Sequence, residues 1–268
     1  GVVSPFFTMP SFVERLSGIQ HVLDDSSYDL VLYNIAHPEQ ISRKLISLAS
    51  QKRVDGLIIL SLSFHEKDLQ AFNPDLPLVV VDNDSIQHYP HNMIDNVAGG
   101  QLATNYLIER GHRAIGFLGD VRHDSFGFTS TYKRFQGFRM ALAQAGLEYR
   151  DEWCKFGEYT EEIARQQALE ILREPRRPTA IFAAIDTLAF GTLAAARDLG
   201  LRIPQDLAVI GFDDIKPASY VNLTTVRQPL FESGVWGAQK MLEWLTGKLD
   251  YRDWRVTLPL CIIERTTA

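Results

Sequence analysis

Pro178-Thr179-Ala180-Ile181-Phe182-Ala183-Ala184-Ile185-Asp186 opens the segment whose reading decides the fold. The apolar run Ala180–Ala184 has strand length and is followed by Asp186. Helical spacing then covers Leu188–Leu199, Gly200 ends it, and a second apolar run, Leu207–Phe212, leads into Asp213-Asp214. Neither apolar run alternates with polar residues. Such strands are covered on both faces, as in a parallel sheet flanked by helices. Glycine just past a helix supplies the left-handed residue that closes it.

The same alternation extends in both directions. Further strands are expected at Gly1–Ser4, Leu30–Ile35, Gly56–Leu60, Leu78–Asp82 and Ala114–Gly119. Helices are expected at Phe12–Leu23, Gln40–Gln51, Val97–Glu109, Phe135–Ala145, Ile163–Arg173 and Gly234–Leu245, with Gly111 and Gly146 ending two of them. Strand and helix repeating every ~25–30 residues make βαβ units and an α/β, doubly wound architecture. The run breaks at the polar stretch 83–92, which holds Pro90. Two other extended stretches, Leu223–Pro229 and Thr257–Leu260, also look like crossovers. Three crossovers imply two parallel-sheet lobes built from discontinuous segments: 1–94 with 229–258, and 95–228 with 259–268.

Composition sets the outer limits. The 268 residues are 46% hydrophobic and 22% charged, an ordinary globular mix that excludes a disordered, collagen-like or disulfide-scaffold chain. Cys154 and Cys261 lie in apolar stretches and read as small buried hydrophobes in a reducing compartment. A net charge of -6 makes the chain a poor candidate for gripping phosphates by itself. No apolar run approaches the ~20 residues that span a bilayer, and no signal-peptide pattern opens the sequence. The chain begins inside a strand at Gly1-Val2-Val3-Ser4, which reads as a truncated chain with a segment missing upstream.

In open α/β sheets, ligands sit beyond the carboxyl ends of the strands. Here those positions hold Ser4, Phe6 and Phe7; Ser61 and Ser63; Asp82 and Asn83; Asp120; Ile185 and Asp186; Asp213 and Asp214. Carboxylates accept hydrogen bonds from neighbouring hydroxyls, and rings cover the apolar faces of sugars. The set suits an uncharged, polyhydroxylated ligand. Plainer roles stand beside this one: Asp82 as a turn residue, Asp186 as a helix N-cap, and one of Asp213-Asp214 as a turn cap. Arg134 stands near the start of a helix, where a cation opposes the helix dipole. That placement points to a specific partner, with a solvated surface position as the alternative.

No nucleophile elbow, phosphate-binding loop, dinucleotide fingerprint, zinc-protease motif or CxxC is present. The seven histidines lack metal-ligand spacing; His88 and His91 are three apart in a loop with no supporting cluster. The sequence therefore reads as a binding module rather than an enzyme, with no metal and no cofactor.

Three stretches together are more specific than any single motif. They are Ile94–Gly100 running through a helix into Arg110-Gly111-His112-Arg113-Ala114; Arg134-Phe135-Gln136-Gly137-Phe138; and Pro178–Asp186 with Gly200–Asp214 and Leu223–Pro229. The combination strongly resembles the effector-binding core of LacI/GalR-type transcription regulators, over essentially all 268 residues. The resemblance implies a type I periplasmic-binding-protein-like fold and a homodimer in the cytoplasm. It also implies a small-molecule effector, a sugar or sugar derivative, bound between the lobes, and operator DNA contacted through a helix-turn-helix headpiece outside this chain. Carried over residue by residue, it puts Asp82, Arg134, Asp213 and Gln228 at the effector, with Tyr159 as a stacking ring and Phe6, Phe7 and Ser63 as first-lobe walls. The chain departs from the family at Ile185, where asparagine is usual before Asp186, and at Val221-Asn222, where a proline is common. The competing reading is a secreted solute-binding protein of the same fold that serves a sugar transporter.

Overall fold

In the computed structural model, residues 1–50, 53–62, 76–83, 88–120, 126–249 and 254–268 are described. The chain divides into two compact units. Unit 1 comprises Gly1–Ile94, Ser125–Phe128 and Pro229–Leu258; unit 2 comprises Asp95–Asp124, Thr129–Gln228 and Pro259–Ala268. Unit 1 includes the short piece ending at Phe128, which the sequence division left in the second lobe. Phe126 explains the difference, because it is buried in the unit 1 core with Val3, Ile35 and Leu57.

Unit 1 holds β1 (Val2–Ser4), α1 (Pro10–Leu23), β2 (Leu32–Asn34), α2 (Ile41–Ser50), β3 (Leu57–Leu60), β4 (Leu78–Val81) and β5 (His91–Met93). Its six-stranded sheet has the order β11-β5-β4-β3-β1-β2, all parallel, with β11 (Arg255–Thr257) at one edge. Unit 2 holds α3 (Asn96–Glu109), β6 (Ile115–Asp120), α4 (Ser130–Gln144), β7 (Cys154–Gly157), α5 (Glu161–Leu172), β8 (Ala180–Ala183), α6 (Asp186–Asp198), β9 (Ala208–Asp213), α7 (Lys216–Tyr220) and β10 (Thr224–Arg227). Its sheet runs β12-β10-β9-β8-β6-β7, with β12 (Cys261–Ile263) antiparallel at the edge. After β10 the chain returns to unit 1 as α8 (Leu230–Leu245).

The two sheets share one topology. In each, the first strand lies between the second and the third, and the fourth and fifth follow outward. That order has a switch point beside the first strand, where ligands of doubly wound sheets bind. Every residue of β3, β4, β6, β8 and β9 is buried, as their uninterrupted apolar runs require. Gly146 and Gly200 take φ of +65° and +66°, the left-handed caps read from the sequence.

Several details differ from the sequence reading. The polar stretch after Asp82 contains β5, which stays in unit 1. Three short strands, β5, β7 and β11, carry too few apolar residues to stand out as runs, and β12, though apolar, is only three residues long. Helix α4 begins at Ser130, so Arg134 lies in its second turn. Cys154 is buried, but Cys261 is exposed, because it sits on the edge strand β12.

Candidate functional site

The carboxyl edge of each sheet carries unusual backbone. Among the described residues, six non-glycines have positive φ. Five stand at or just past a strand end: Phe6, Ser61 and Asp82 in unit 1, and Asp213 and Asp214 in unit 2. Such conformations are costly for L residues and persist where the surrounding structure holds them, which is typical of binding edges.

In unit 2, Arg134 rises from α4 and is almost fully buried. Its Nε donates to Asn96 Oδ1 at 2.8 Å, and Nη1 donates to the Ala184 carbonyl at 2.7 Å. The same Nη1 lies 3.5 Å from Asp213 Oδ1, and the guanidinium carbon stacks 3.6 Å from the centre of the Phe212 ring. Gln228, just past β10, donates to Asp213 Oδ1 at 2.5 Å. A carboxylate, a cation and an amide are thus gathered where β8, β9 and β10 end. Charge-assisted contacts of this kind are strong, and removing one partner leaves a buried charge alone.

Asp186 is placed differently. It is the first residue of α6 and has no solvent exposure. Its Oδ2 accepts from Ile215 N at 2.9 Å, and its Oδ1 contacts Thr225 Oγ1 at 2.6 Å. It therefore ties the β9–α7 loop to β10 and does not cap its own helix. Burial, reinforced by the nearby Asp213 charge, pushes its carboxyl well above the ordinary carboxylate range. Ile185 is half-buried against the same core. Tyr159, half-buried, lies in the bend after β7, on the same carboxyl edge. Asp120, the last residue of β6, is buried. Asp214 pairs with Arg265 at 2.7 Å.

In unit 1, Asp82 follows β4. Its Oδ2 accepts from Arg15 Nη2 at 2.5 Å and from Ser61 Oγ at 2.9 Å, while its backbone N–H donates to Asn92 Oδ1 at 3.1 Å. Phe6 and Phe7 are about one-third exposed. Phe6 meets Phe126 edge-on at 5.0 Å, with Phe128 at 6.1 Å. Ser63 lies outside the described residues. Four of these participants, Arg15, Asn92, Phe126 and Phe128, were missed in the sequence. Phe126 and Phe128 had no strand or helix pattern to mark them. Arg15 had a signal: it shares one helical face with Phe12 and Ile19, where an arginine is stable only with a partner. A cavity of about 400 Å³ lies at the opposite, amino edge of the unit 1 sheet, among Ile19, Tyr28, Gly56, Ile58 and Met241, and includes none of the candidate residues. Among the described residues, no group of histidine, cysteine and carboxylate side chains could hold a metal ion, and no helix is long and apolar enough to cross a membrane.

Comparison with known proteins adds the family. Residues 104–268 match the periplasmic binding protein-like domain family. The HTH-type transcriptional repressor PurR of Serratia proteamaculans (strain 568) is 33% identical over 275 residues, covering 100% of this chain and 79% of that repressor. The crystal structure of a LacI family transcriptional regulator from Enterococcus faecium with bound ribose superposes with a TM-score of 0.86 at 26% identity, covering 100% of this chain and 97% of that one. The complex of the transcriptional regulator CelR with cellobiose gives 0.83 at 27% identity, covering 100% and 83%. By fold, by similarity along the whole chain and by the stretches read above, this chain belongs to the LacI/GalR family of transcriptional regulators and comprises its periplasmic-binding-protein-like, effector-binding core.

Proposed function

We propose that these 268 residues bind one small, uncharged, hydroxyl-bearing effector, a sugar by class, in a cleft between the two lobes. The observation that carries this reading is the buried array of Arg134, Asp213 and Gln228 at the carboxyl edge of unit 2. Asp213 is the acceptor for effector hydroxyls, Gln228 adds an amide, and Arg134 holds the carboxylate in place. Asp82 serves as the acceptor of the first lobe. Phe6, Phe7 and Tyr159 form walls, and Ile185 makes its part of the wall apolar. Asp186 acts behind the site by fixing the loop that carries Asp213. The ribose and cellobiose complexes of the structural neighbours support the sugar class.

The effector acts by favouring one arrangement of the lobes in a homodimer, through its unequal affinity for the two states. That arrangement alters operator binding in the cytoplasm, through a DNA-contacting part of the kind named in the HTH-type relatives. Isothermal titration with D-ribose, cellobiose, other neutral sugars and purine bases and nucleosides tests the reading. We expect one neutral sugar to bind, and Asp213→Ala to abolish its binding while the circular dichroism spectrum stays native. Tight binding of a purine with no sugar bound, or unchanged sugar affinity in Asp213→Ala, contradicts it. A stable dimer in sedimentation fits the regulator, whereas a monomer fits a transporter's solute-binding protein.

A further inference from the structure

The two units repeat one construction, and the repeat identifies a residue that the motifs did not. Arg134-Phe135-Gln136-Gly137 begins with the arginine beside Asp213; Arg15-Leu16-Ser17-Gly18 has the same spacing in unit 1. Both arginines stand on the helix that follows the first strand of their sheet, and both aspartates mark the carboxyl end of the fourth strand, Asp82 just past β4 and Asp213 as the last residue of β9. Both aspartates have positive φ, +58° at Asp82 and +118° at Asp213. Each also contacts an amide side chain of the fifth strand or the residue after it: Asn92 for Asp82 and Gln228 for Asp213.

The helix crossings repeat as well. A side chain on Gly137 would strike the Val97 carbonyl, and one on Gly100 would strike the Arg134 carbonyl. In unit 1, a side chain on Gly18 would strike the Phe231 carbonyl, and one on Gly234 would strike the Arg15 carbonyl. In both units the partner glycine follows the struck carbonyl of its own helix by three residues. Backbones this close leave α1 no room to slide against α8, so the base of the Arg15 side chain is fixed.

We infer that Arg15 is the positioning and specificity-determining residue of the first half-site, the counterpart of Arg134; this rests on the function proposed above. Arg15 and Ser61 both engage Oδ2 of Asp82. Among the described residues, no side-chain contact of Asp82 falls on Oδ1, which is left as the acceptor for a ligand. The Arg15 side chain is 4% exposed and that of Asp82 21%. The guanidinium therefore lies behind the carboxylate and neutralises it from inside. A carboxylate neutralised in this way accepts from a hydroxyl without attracting a cation, so the half-site discriminates by charge.

The test uses Arg15→Met, which keeps an apolar stem and removes the charge, together with Asp82→Asn and the double variant. Affinities for D-ribose, D-glucose and D-glucosamine, the last as its ammonium form, are measured by calorimetry. Arg15→Met is expected to weaken the neutral sugars about tenfold, one charge-assisted hydrogen bond's worth, and to raise the preference for D-glucosamine over D-glucose about tenfold. The double variant is expected to lose that gain, because the exposed carboxylate is gone. A purely structural role for Arg15 would lower all three affinities together and leave the preference unchanged, and that result overturns the inference. So does a thermal-unfolding double-mutant cycle, run without ligand, that finds no coupling between Arg15 and Asp82. If the neutral sugars bind the unmodified chain and weaken in Asp82→Asn but not in Arg15→Met, the inference falls alone. If no neutral sugar binds the unmodified chain, the proposed function falls with it.

Discussion

In unit 2 the arginine is fastened before it reaches its aspartate. An amide oxygen, a main-chain carbonyl and an aromatic face hold Arg134, and Asp213 lies 3.5 Å away with a second, shorter contact to Gln228. In unit 1 the arginine meets its aspartate directly. Arg15 meets Asp82 at 2.5 Å, and its further contacts include the Ser11 carbonyl at 3.3 Å and the Phe12 ring, whose centre lies 6.0 Å from the guanidinium carbon. Asp213 is also the deeper of the two, with 8% of its side chain exposed against 21% for Asp82. One motif has thus been built once as a rigid, enclosed array and once as a direct pair near the surface. Burial sets the energetic weight of each, because water compensates a broken pair only where it can reach it.

The largest expected effect follows from that difference. Arg134→Met leaves Asp213 and the Ala184 carbonyl without their cation in an enclosed setting. It should cost about 3–5 kcal/mol of unit 2 stability, read as a lower urea midpoint, and should abolish sugar binding. Arg15→Met should cost less, about 1–3 kcal/mol, because Asp82 can gain water. Equal losses in the two variants would break the comparison.

The smallest effect concerns Asp186 and separates the two units by pH. Burial holds its folded carboxyl well above the ordinary carboxylate range, so between the ordinary and the raised value the folded state holds a proton that the unfolded chain has released. Stability of unit 2 should therefore fall as pH rises from about 4 through the raised value. Asp186→Asn, which can still accept from Ile215 N and donate to Thr225 Oγ1, should flatten that slope and leave stability at neutral pH equal or higher. Chemical denaturation at a series of pH values checks this. A variant whose slope matches that of the unmodified chain would show that Asp186 titrates normally.

The strands of both sheets were legible where they were buried on both faces. Leu57–Leu60, Leu78–Val81, Ala180–Ala183 and the run that opens Ala208–Asp213 are apolar and buried throughout. Two edge strands were not legible: Arg255–Thr257 and Cys261–Ile263 are half solvated and only three residues long. The same solvation explains why Cys261 was misread as buried. Around the candidate site, Arg134, Asp213 and Gln228 belong to recognisable stretches and do come together. Arg15 was hidden because its family-like context is weak and its partner lies 67 residues away. Its place on one face with Phe12 and Ile19 was one signal; the shared spacing of Arg15-x-x-Gly18 and Arg134-x-x-Gly137 is another, and that likeness gains meaning once both helices are seen to cross their neighbours in the same way. Asp186 was read as a site residue with a helix N-cap as the plainer alternative; its carboxyl is drawn instead to a loop 29 residues on and to Thr225.

The central claim is that two arginine-backed carboxylates, one in each lobe, hold a single neutral sugar. A crystal structure of this chain with the neutral sugar that binds most tightly tests it most directly. The account predicts sugar hydroxyls within hydrogen-bond distance of both Asp82 Oδ1 and the Asp213 carboxylate, with Arg15 and Arg134 still behind them. A sugar bound elsewhere, or one that touches neither carboxylate, would contradict it.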